Sequence, residues 1–229
     1  MSERPYSHDN RIGLAMIATG LILLAMVLGL VSSGDNVPGW DLSFATWIQR
    51  WQGGFGESLY TVGDLLGTTW LAATITVVAL TGTLVKRQVQ TSLFLIMVLI
   101  LRLLGTQLKP LFDSPRPTAD LVRVLETFEG TGYPSGHSMT VAMVATMFVL
   151  IAWRYLTHRP INWTITAISL VAVVLVGWSR IWAGAHWPSD VLGGWSFGIA
   201  LVLLAWIASN FIATSDLVRR DTAAETATR

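Results

Sequence analysis

The sequence predicts an all-α membrane protein: a six-transmembrane-helix bundle with both termini in the cytoplasm and a short interfacial helix in the first outer loop. Three observations carry this prediction. Hydrophobic residues make up 52% of the 229 residues and charged residues only 13%, against about 25% charged in a soluble domain. Six apolar runs each have about the 17–25 residues that a helix needs to cross a bilayer. Eleven tryptophans suit membrane–water interfaces, where amphipathic rings concentrate.

The composition also limits the classes of function. A chain of this length is one domain by default, and we expect an N-terminus (1–11), a helix bundle (12–213) and a cytoplasmic tail (214–229). The net charge of +1 indicates no nucleic-acid partner. With no cysteine in the chain, disulfides, thiolate zinc sites and cysteine nucleophiles are excluded. No obligate protein partner is evident.

Polar or turn-forming segments separate the apolar runs and set the bounds of the predicted helices. The six spans cover residues 12–31, 59–85, 91–108, 137–153, 163–178 and 190–213. The first run has an alternative as a secretory signal peptide. It is longer than a usual signal-peptide core, and Val31-Ser32-Ser33-Gly34 lacks a clear cleavage site, so we expect a retained helix. The polar residues 215–229 are expected to be disordered.

The first outer loop, residues 34–56, contains aromatic and apolar residues spaced as one face of a short helix: Trp40, Phe44, Trp47, Ile48 and Trp51. We expect this helix to lie in the membrane interface, and a loop cap with ordinary packing aromatics is the alternative. Four tryptophans near the outer ends of the last two spans are predicted interfacial anchors, with stacking against the substrate as the alternative: Trp178, Trp182, Trp187 and Trp195.

The basic residues predict the orientation, because cytoplasmic loops are enriched in Lys and Arg. The terminal side of the six-helix topology carries Arg4, Arg11, Lys86, Arg87, Arg154, Arg159, Arg219 and Arg220. The opposite side carries fewer cations together with several carboxylates; its cations are Arg50, Lys109, Arg116, Arg123 and Arg180. The sequence therefore predicts a multi-pass protein of the cytoplasmic (inner) membrane, with segments 33–58, 109–136 and 179–189 facing outward.

Two charged residues fall within predicted spans. Arg102 lies in the third span and Asp64 near the outer end of the second. Ionisable groups inside a bilayer are expensive and are usually paired or functional. An Arg102–Asp64 ion pair is the structural hypothesis.

Three polar clusters stand at the outer ends of the third to sixth spans. They are Lys109-x6-Arg116-Pro117, Pro134-Ser135-Gly136-His137 and Ser179-Arg180-x5-His186-x3-Asp190. The second cluster places a titratable ring at a helix N-terminus, where unpaired backbone N–H groups favour anions. Because all three clusters lie at one membrane depth, they can converge on one site.

The residue types in these clusters suit phosphoryl transfer without a metal. Arginine forks and a lysine point charge bind phosphate oxygens, and serine hydroxyls or backbone N–H groups add donors. His186 and Asp190 are four residues apart, so the carboxylate could orient the imidazole and leave its other nitrogen as nucleophile or base. His137 is a second imidazole, free to act as a general acid. Singly, His137 and Asp190 also suit helix caps, and His186 suits an interfacial position.

The three clusters match, position by position, the signature motifs of the phosphatidic acid phosphatase type 2 superfamily, K-x6-R-P, P-S-G-H and S-R-x5-H-x3-D, and the chain resembles its six-helix membrane members. The resemblance implies that His186 is the nucleophile that forms a phosphohistidine. Asp190 would then orient His186, and His137 would protonate the leaving group. It also implies a phosphate-binding set and no metal or other cofactor. That set is Lys109, Arg116, Ser135, Gly136, Ser179 and Arg180.

The expected function is that of an integral-membrane lipid phosphatase whose site opens at the outer face and acts on a lipid phosphate held in the bilayer. Expected substrates are undecaprenyl diphosphate or glycerolipid phosphates such as phosphatidylglycerol phosphate, phosphatidate and diacylglycerol pyrophosphate, with a slight preference for the isoprenyl diphosphate. The alternatives are a lipid phosphotransferase using the same residues and a transporter or binding protein that holds phosphate without cleaving it. A haloperoxidase shares the motifs, but six apolar crossings argue against it.

Overall fold

The computed structural model describes residues 8–34 and 37–227, and the regular structure in this part of the chain is helical throughout. Its α-helices are α1 (His8–Ser32), α2 (Gly39–Ile48), α3 (Gly54–Gly67), α4 (Thr69–Val85), α5 (Val89–Gly105), α6 (Gly136–Tyr155), α7 (Arg159–Trp182) and α8 (Pro188–Ala227). A 3₁₀ helix, Thr106–Leu111, follows α5. The prediction of an all-α fold is confirmed. Residues 1–7 of the predicted N-terminal segment, which include Arg4, lie outside the described residues.

Four helical stretches are long and apolar enough to cross a membrane: Asn10–Ser32, Gly136–Tyr155, Arg159–Trp182 and Pro188–Ala213. Helices α3 and α4 make a fifth candidate span if the two count as one bent span. Helix α5 is apolar but shorter than these candidate spans. The helices lie where the sequence predicts them, and the crossing of all six, like the position of both termini, stays a prediction.

The predicted second span, 59–85, is wrong as a single helix. Thr68 has extended backbone angles (φ −67°, ψ 138°), and α3 and α4 meet there at 50°. The end of α3 is also tightly packed: a Cβ on Gly67 would lie 2.8 Å from the side chain of His137. The break therefore brings the backbone of α3 against the first turn of α6.

The core of the bundle lies around α8, which packs along α1 and α6 and also contacts α5 and α7. Large buried side chains fill it, among them Phe94, Met139, Met143 and Trp206. Glycines permit the close crossing of α6 and α8, since a Cβ on Gly198 would lie 2.6 Å from the Met139 carbonyl oxygen. Small residues at the crossing suit a membrane bundle, where packing replaces the hydrophobic effect between helices.

The first outer loop and the C-terminal tail each differ from the sequence prediction. In α2, Trp40, Phe44 and Trp47 are exposed as predicted, but Ile48 is buried and packs inward with Ala45. The location of α2 in the membrane interface stays a prediction. At the other end of the chain, α8 continues to Ala227, where the sequence predicted a disordered tail.

Two of the predicted tryptophan anchors are wrong. Trp182 and Trp187 are only 1% and 2% exposed, so they cannot lie against lipid headgroups. Their indole N–H groups donate to backbone carbonyls, Trp182 to Trp51 (2.8 Å) and Trp187 to Pro115 (3.0 Å). Each therefore fastens a loop to the end of the bundle. A buried indole N–H needs a hydrogen-bond partner, and here the loop carbonyl supplies it.

Candidate active site

The third cluster forms the turn between α7 and α8. Gly184 has a φ of +67°, and a Cβ there would collide with the carbonyl oxygen of Arg123. This left-handed residue turns the chain so that His186 precedes the first turn of α8. His186 Nδ1 lies 3.2 Å from Asp190 Oδ2, as the spacing of four predicts.

The Asp190 carboxylate is fully buried and receives several donors. Its Oδ2 accepts the Trp187 backbone N–H at 3.0 Å, and its Oδ1 lies 3.4 Å from the Ser114 hydroxyl. These contacts fix the carboxylate against His186. An Nδ1–H donated to Asp190 leaves the lone pair on Nε2, which is the tautomer that a nucleophilic imidazole requires.

His186 is only 4% exposed. Burial lowers its pKa well below the ordinary value of 6.5, and the positive charges of Arg116, Arg180 and Lys109 lower it further. The imidazole is therefore neutral at pH 7, with its nucleophilic lone pair intact. His137 of the second cluster also lowers the pKa of His186, so charged groups from all three clusters act on this ring.

His137, in the first turn of α6, is more open, with 30% of its side chain exposed. Its Nε2 lies 3.3 Å from Asp64 Oδ1. Asp64 also forms an ion pair with Arg180, so one carboxylate joins the second imidazole to a cation of the third cluster. The hypothesis of an Arg102–Asp64 pair is therefore wrong.

Arg180 is 1% exposed and is held by two carboxylates. Besides Asp64, its Nη2 lies 3.3 Å from Glu126 Oε2, and Glu126 accepts a hydrogen bond from the Tyr60 hydroxyl. The buried Nε of Arg180 has no hydrogen-bond partner within the described residues. One donor of the guanidinium thus stays uncommitted.

The two serines of the predicted phosphate-binding set are engaged within the protein. Ser179 donates its hydroxyl to the Val176 carbonyl at 2.7 Å, and Ser135 accepts from Ser138 at 3.0 Å. The Ser135 backbone N–H donates to the Asp190 carbonyl at 3.0 Å. Both side chains are buried. The Ser179 hydroxyl proton is committed to the Val176 carbonyl, whereas Ser135 only accepts and keeps its own hydroxyl proton as a donor.

Ser135 occupies the N-cap position of α6 without forming a side-chain cap hydrogen bond. The first backbone N–H groups of a helix have no intrahelical acceptor, so those of α6 remain available to an anion. A Cβ placed on Gly136 would meet no atom within 4 Å. The backbone of this turn therefore faces open space, as a phosphate-binding turn requires.

Lys109 and Arg116 bring the first cluster to the same place. Lys109 lies in the 3₁₀ helix, where burial and the nearby Arg116 and Arg102 cations lower its pKa, while the Asp190 carboxylate opposes them. Arg116 donates from Nη1 to the Ala185 carbonyl at 2.9 Å and from Nε to Gly130 at 3.1 Å. It is thus attached to the residue that precedes His186.

Several residues that support the site belong to no motif in the sequence, namely Asp41, Tyr60, Ser114 and Glu126. Asp41 on α2 is fully buried, and its two oxygens accept the backbone N–H (2.8 Å) and the hydroxyl (2.7 Å) of Ser189. A carboxylate at the start of α8 suits the positive end of the helix dipole. The only signal in the sequence was the acidic residue itself, because spacing gives no hint that α2 folds onto α8.

All nine predicted site residues therefore come from the same end of the bundle, where α5, α6, α7 and α8 begin or end. Two imidazoles stand against three cations, each imidazole with a carboxylate beside it. Within residues 8–34 and 37–227, no three His, Asp or Glu side chains are grouped so as to hold a metal ion. The arrangement can bind an oxyanion and move a proton to or from it.

Comparisons with known proteins show which proteins this chain is similar to. The chain is 38% identical to phosphatidylglycerophosphatase B of Bacillus subtilis (strain 168) over 108 residues, which cover 45% of this chain and 50% of that protein. It is 35% identical to an undecaprenyl-diphosphatase of Sulfolobus acidocaldarius over 66 residues, 29% of this chain and 28% of that protein. The alignments thus span half of the first relative's length and less of the second's.

The fold also has a solved relative. The crystal structure of a transmembrane PAP2 type phosphatidylglycerolphosphate phosphatase from Bacillus subtilis matches with a TM-score of 0.70 and 25% sequence identity, covering 82% of this chain and 93% of that one. A family model described as the PAP2 superfamily matches residues 67–212. This stretch is more than half of the chain and contains all three clusters, which confirms the predicted resemblance: the chain belongs to the PAP2 superfamily.

Proposed function

We propose that this protein is an integral-membrane lipid phosphatase that hydrolyses a phosphate or diphosphate monoester of a lipid through a phosphohistidine on His186. The observation that carries the proposal is the buried His186–Asp190 pair, at 3.2 Å, set among the cations of the three clusters. A protein that only bound phosphate would need the cations but not an oriented, neutral imidazole. The family and the names of the two relatives support a lipid phosphate as the substrate.

The reaction follows from the placement of the side chains. His186 Nε2 attacks phosphorus, the N–P bond forms, and the bond from phosphorus to the leaving oxygen breaks. His137 gives its proton to that oxygen. The guanidinium groups of Arg116 and Arg180, the Lys109 ammonium and the N-terminal N–H groups of α6 stabilise the charge on the equatorial oxygens.

In the second half of the reaction His137 acts as a base and regains a proton. Water attacks the phosphohistidine, His137 accepts a proton from that water, and inorganic phosphate leaves as the N–P bond breaks. Asp64, 3.3 Å from His137 Nε2, stabilises the imidazolium in both halves. Asp190 stabilises the positive charge on His186 while it carries the phosphoryl group.

The site is proposed to face the extracytoplasmic side of the cytoplasmic membrane. The support is the excess of Lys and Arg on the other side of the predicted topology. A lipid anchored in the outer leaflet would then present its phosphate at the depth of the site, without leaving the bilayer.

Phosphate release by the purified protein tests the proposal. His186→Ala is expected to abolish release from a lipid phosphate, and His137→Ala is expected to accumulate a ³²P-labelled, acid-labile and base-stable phosphoprotein. Arg87→Ala, an exposed cation at the opposite end of α4, is the control and should retain activity. Wild-type rates in His186→Ala would contradict the mechanism. Release that continues in the presence of a chelator is also expected.

A further inference from the structure

An apolar cavity of about 270 Å³ lies between α4, α5 and α6, next to the site. Its walls include Ala72, Val98, Met143 and Val144, and Arg102 also lines it. Thr69 begins α4, Thr140 belongs to the first turns of α6, and Arg102 lies in the last turn of α5. Because these helix ends lie at the site end of the bundle, Arg102 lines the end of the cavity that is nearer the site.

Arg102 is held in place without a carboxylate partner. Its Nε donates to the Thr140 hydroxyl at 2.7 Å, and its Nη2 donates to the Thr69 hydroxyl at 2.6 Å. Among the described residues, no Asp or Glu lies within 4 Å of its guanidinium. A cation at membrane depth is expensive unless an anion accompanies it, and the two hydroxyls orient the positive charge but do not neutralise it.

The position of Arg102 links the cavity to the phosphate site. Thr140 follows His137 by three residues, which is about one turn or 5 Å along α6. Thr69 follows Gly67, whose backbone packs against the His137 side chain. Arg102 also adds to the cations that lower the pKa of Lys109. The guanidinium thus lies one helical turn beyond His137, between the phosphate site and the apolar cavity.

We propose that Arg102 is a specificity-determining residue that binds the lipid-side phosphate of a lipid diphosphate, while the adjoining apolar chain occupies the cavity. The inference rests on the proposed function and narrows its substrate to lipid diphosphates. A lipid monophosphate has only the phosphate that the three clusters hold, so it offers no anion to Arg102. A diphosphate offers a second one, on the side where the chain must leave the site for the bilayer.

The chemistry makes this contact selective for the reaction as well as for binding. With a diphosphate, His186 attacks the terminal phosphorus, and the bond from that phosphorus to the bridging oxygen breaks. The electron pair stays on the bridging oxygen, so the leaving lipid monophosphate gains negative charge in the transition state before His137 transfers its proton to that oxygen. Arg102 stabilises that charge. With a monophosphate the leaving group is an alkoxide that His137 also protonates, and Arg102 has no part in the step.

The test compares kcat/KM of the full chain in detergent for farnesyl diphosphate and farnesyl monophosphate, which share one apolar chain. Arg102→Met is expected to lower kcat/KM for the diphosphate by roughly ten- to hundredfold, the range of a charge-assisted hydrogen bond. The value for the monophosphate should change by less than about threefold on the same reasoning. Arg102→Lys, which keeps the charge but not the fork, should retain part of the preference. Arg154→Met, at the other end of α6, is the control and should leave the ratio unchanged.

Equal losses on both substrates in Arg102→Met and Arg102→Lys would overturn the inference, since a residue that only supports the fold affects both substrates alike. If Arg102→Met does not fold, as judged by its unfolding temperature in detergent, the Arg102→Lys ratio decides alone. The proposed function fails in a different way. It is wrong if the wild type releases phosphate from neither substrate, or if His186→Ala matches the wild type on both.

Discussion

At the residue scale, the two imidazoles of the site are distinguished by their surroundings. His186 is buried beside a carboxylate that accepts from its Nδ1 side, whereas His137 is partly exposed beside a carboxylate that is shared with Arg180. A buried, neutral ring suits a nucleophile. An accessible ring that can gain and lose a proton suits an acid and base.

The pH dependence of catalysis follows from the depressed pKa of His186. In the proposed mechanism the neutral imidazole is the nucleophile, so kcat/KM should hold at pH 7 and fall only when the pH drops through that lowered pKa. Lys109→Met removes one of the cations that lower it. The acid limb of the pH profile should therefore move to higher pH, and kcat should fall by roughly 100-fold, as for other losses of an oxyanion-stabilising group.

Lys86→Met, which removes an exposed lysine at the far end of α4, is the matched control for that profile. Its acid limb should coincide with that of the wild type. If the acid limb stays in place or moves to lower pH in Lys109→Met, the Lys109 charge does not lower the pKa of His186.

The sequence predicted which residues come together at the candidate site better than it predicted the residues that hold them. His137, His186 and Asp190 could be identified as candidates because the proposed chemistry requires particular residue types at short, fixed spacings. Asp64 was recognised only as a charge in need of a partner, and the wrong partner was assigned. Its actual contacts, His137 and Arg180, lie on two other helices, and such a long-range contact has no local pattern in one sequence.

At the element scale, α2 reaches from the first outer loop to the start of α8. The Asp41 carboxylate binds the backbone and hydroxyl of Ser189, one residue before Asp190. Gln49, just after α2, adds hydrogen bonds to the Arg123 backbone, at 2.8 Å to its carbonyl and 2.9 Å from its N–H. The helix that the sequence assigned to the membrane interface therefore also supports the site, through the contact of Asp41 with Ser189 at the start of α8.

Asp41→Ala should destabilise the protein because it leaves the buried backbone N–H and hydroxyl of Ser189 without an acceptor. The expected loss is roughly 1–3 kcal/mol of unfolding free energy, the cost of unsatisfied buried donors. Thermal unfolding in detergent measures it, and kcat should fall in parallel as the first turn of α8 loosens. Asp120→Ala, in an exposed part of the outer loop, should change neither quantity. An unchanged unfolding temperature in Asp41→Ala would mean that this contact contributes nothing to stability.

The positions of the helices could be predicted where they depend on local sequence, and not where they depend on contacts between distant residues. The apolar runs predicted where helices lie, since their length and composition are local properties. The break at Thr68 was missed because only the length of the run was considered, although Gly67-Thr68-Thr69 interrupts it and Thr68 is the N-cap residue of α4. The size of the bend could not be predicted, because it accompanies packing of α3 against His137 and Val176. The burial of Trp182 likewise depends on Trp51, which is distant in sequence.

At the scale of the whole molecule, the proposed orientation places the site outside and most basic residues inside. Glu129 and Lys86 are both exposed and fall on opposite sides of this topology. The chain contains no cysteine, so a single introduced thiol gives an unambiguous signal.

In intact cells, a membrane-impermeant maleimide should label Glu129→Cys and should label Lys86→Cys only after the membrane is permeabilised. The physical reason is the retention of Lys and Arg on the cytoplasmic side during insertion. Phosphatase activity of both variants should equal that of the wild type, which confirms that the labelled molecules are folded. Labelling in the reverse pattern would contradict the orientation.

The short helix α5 has a consequence for the bilayer itself. Its 17 residues extend about 25 Å at 1.5 Å per residue, less than the roughly 30 Å of a typical hydrocarbon core. Such hydrophobic mismatch is relieved when lipids next to the helix compress and the leaflet thins. The thinned patch would adjoin the cavity under Arg102, so a lipid arriving there already carries its phosphate closer to the midplane. We therefore expect the bilayer to be thinner beside α5, next to the cavity in which the inferred lipid chain lies.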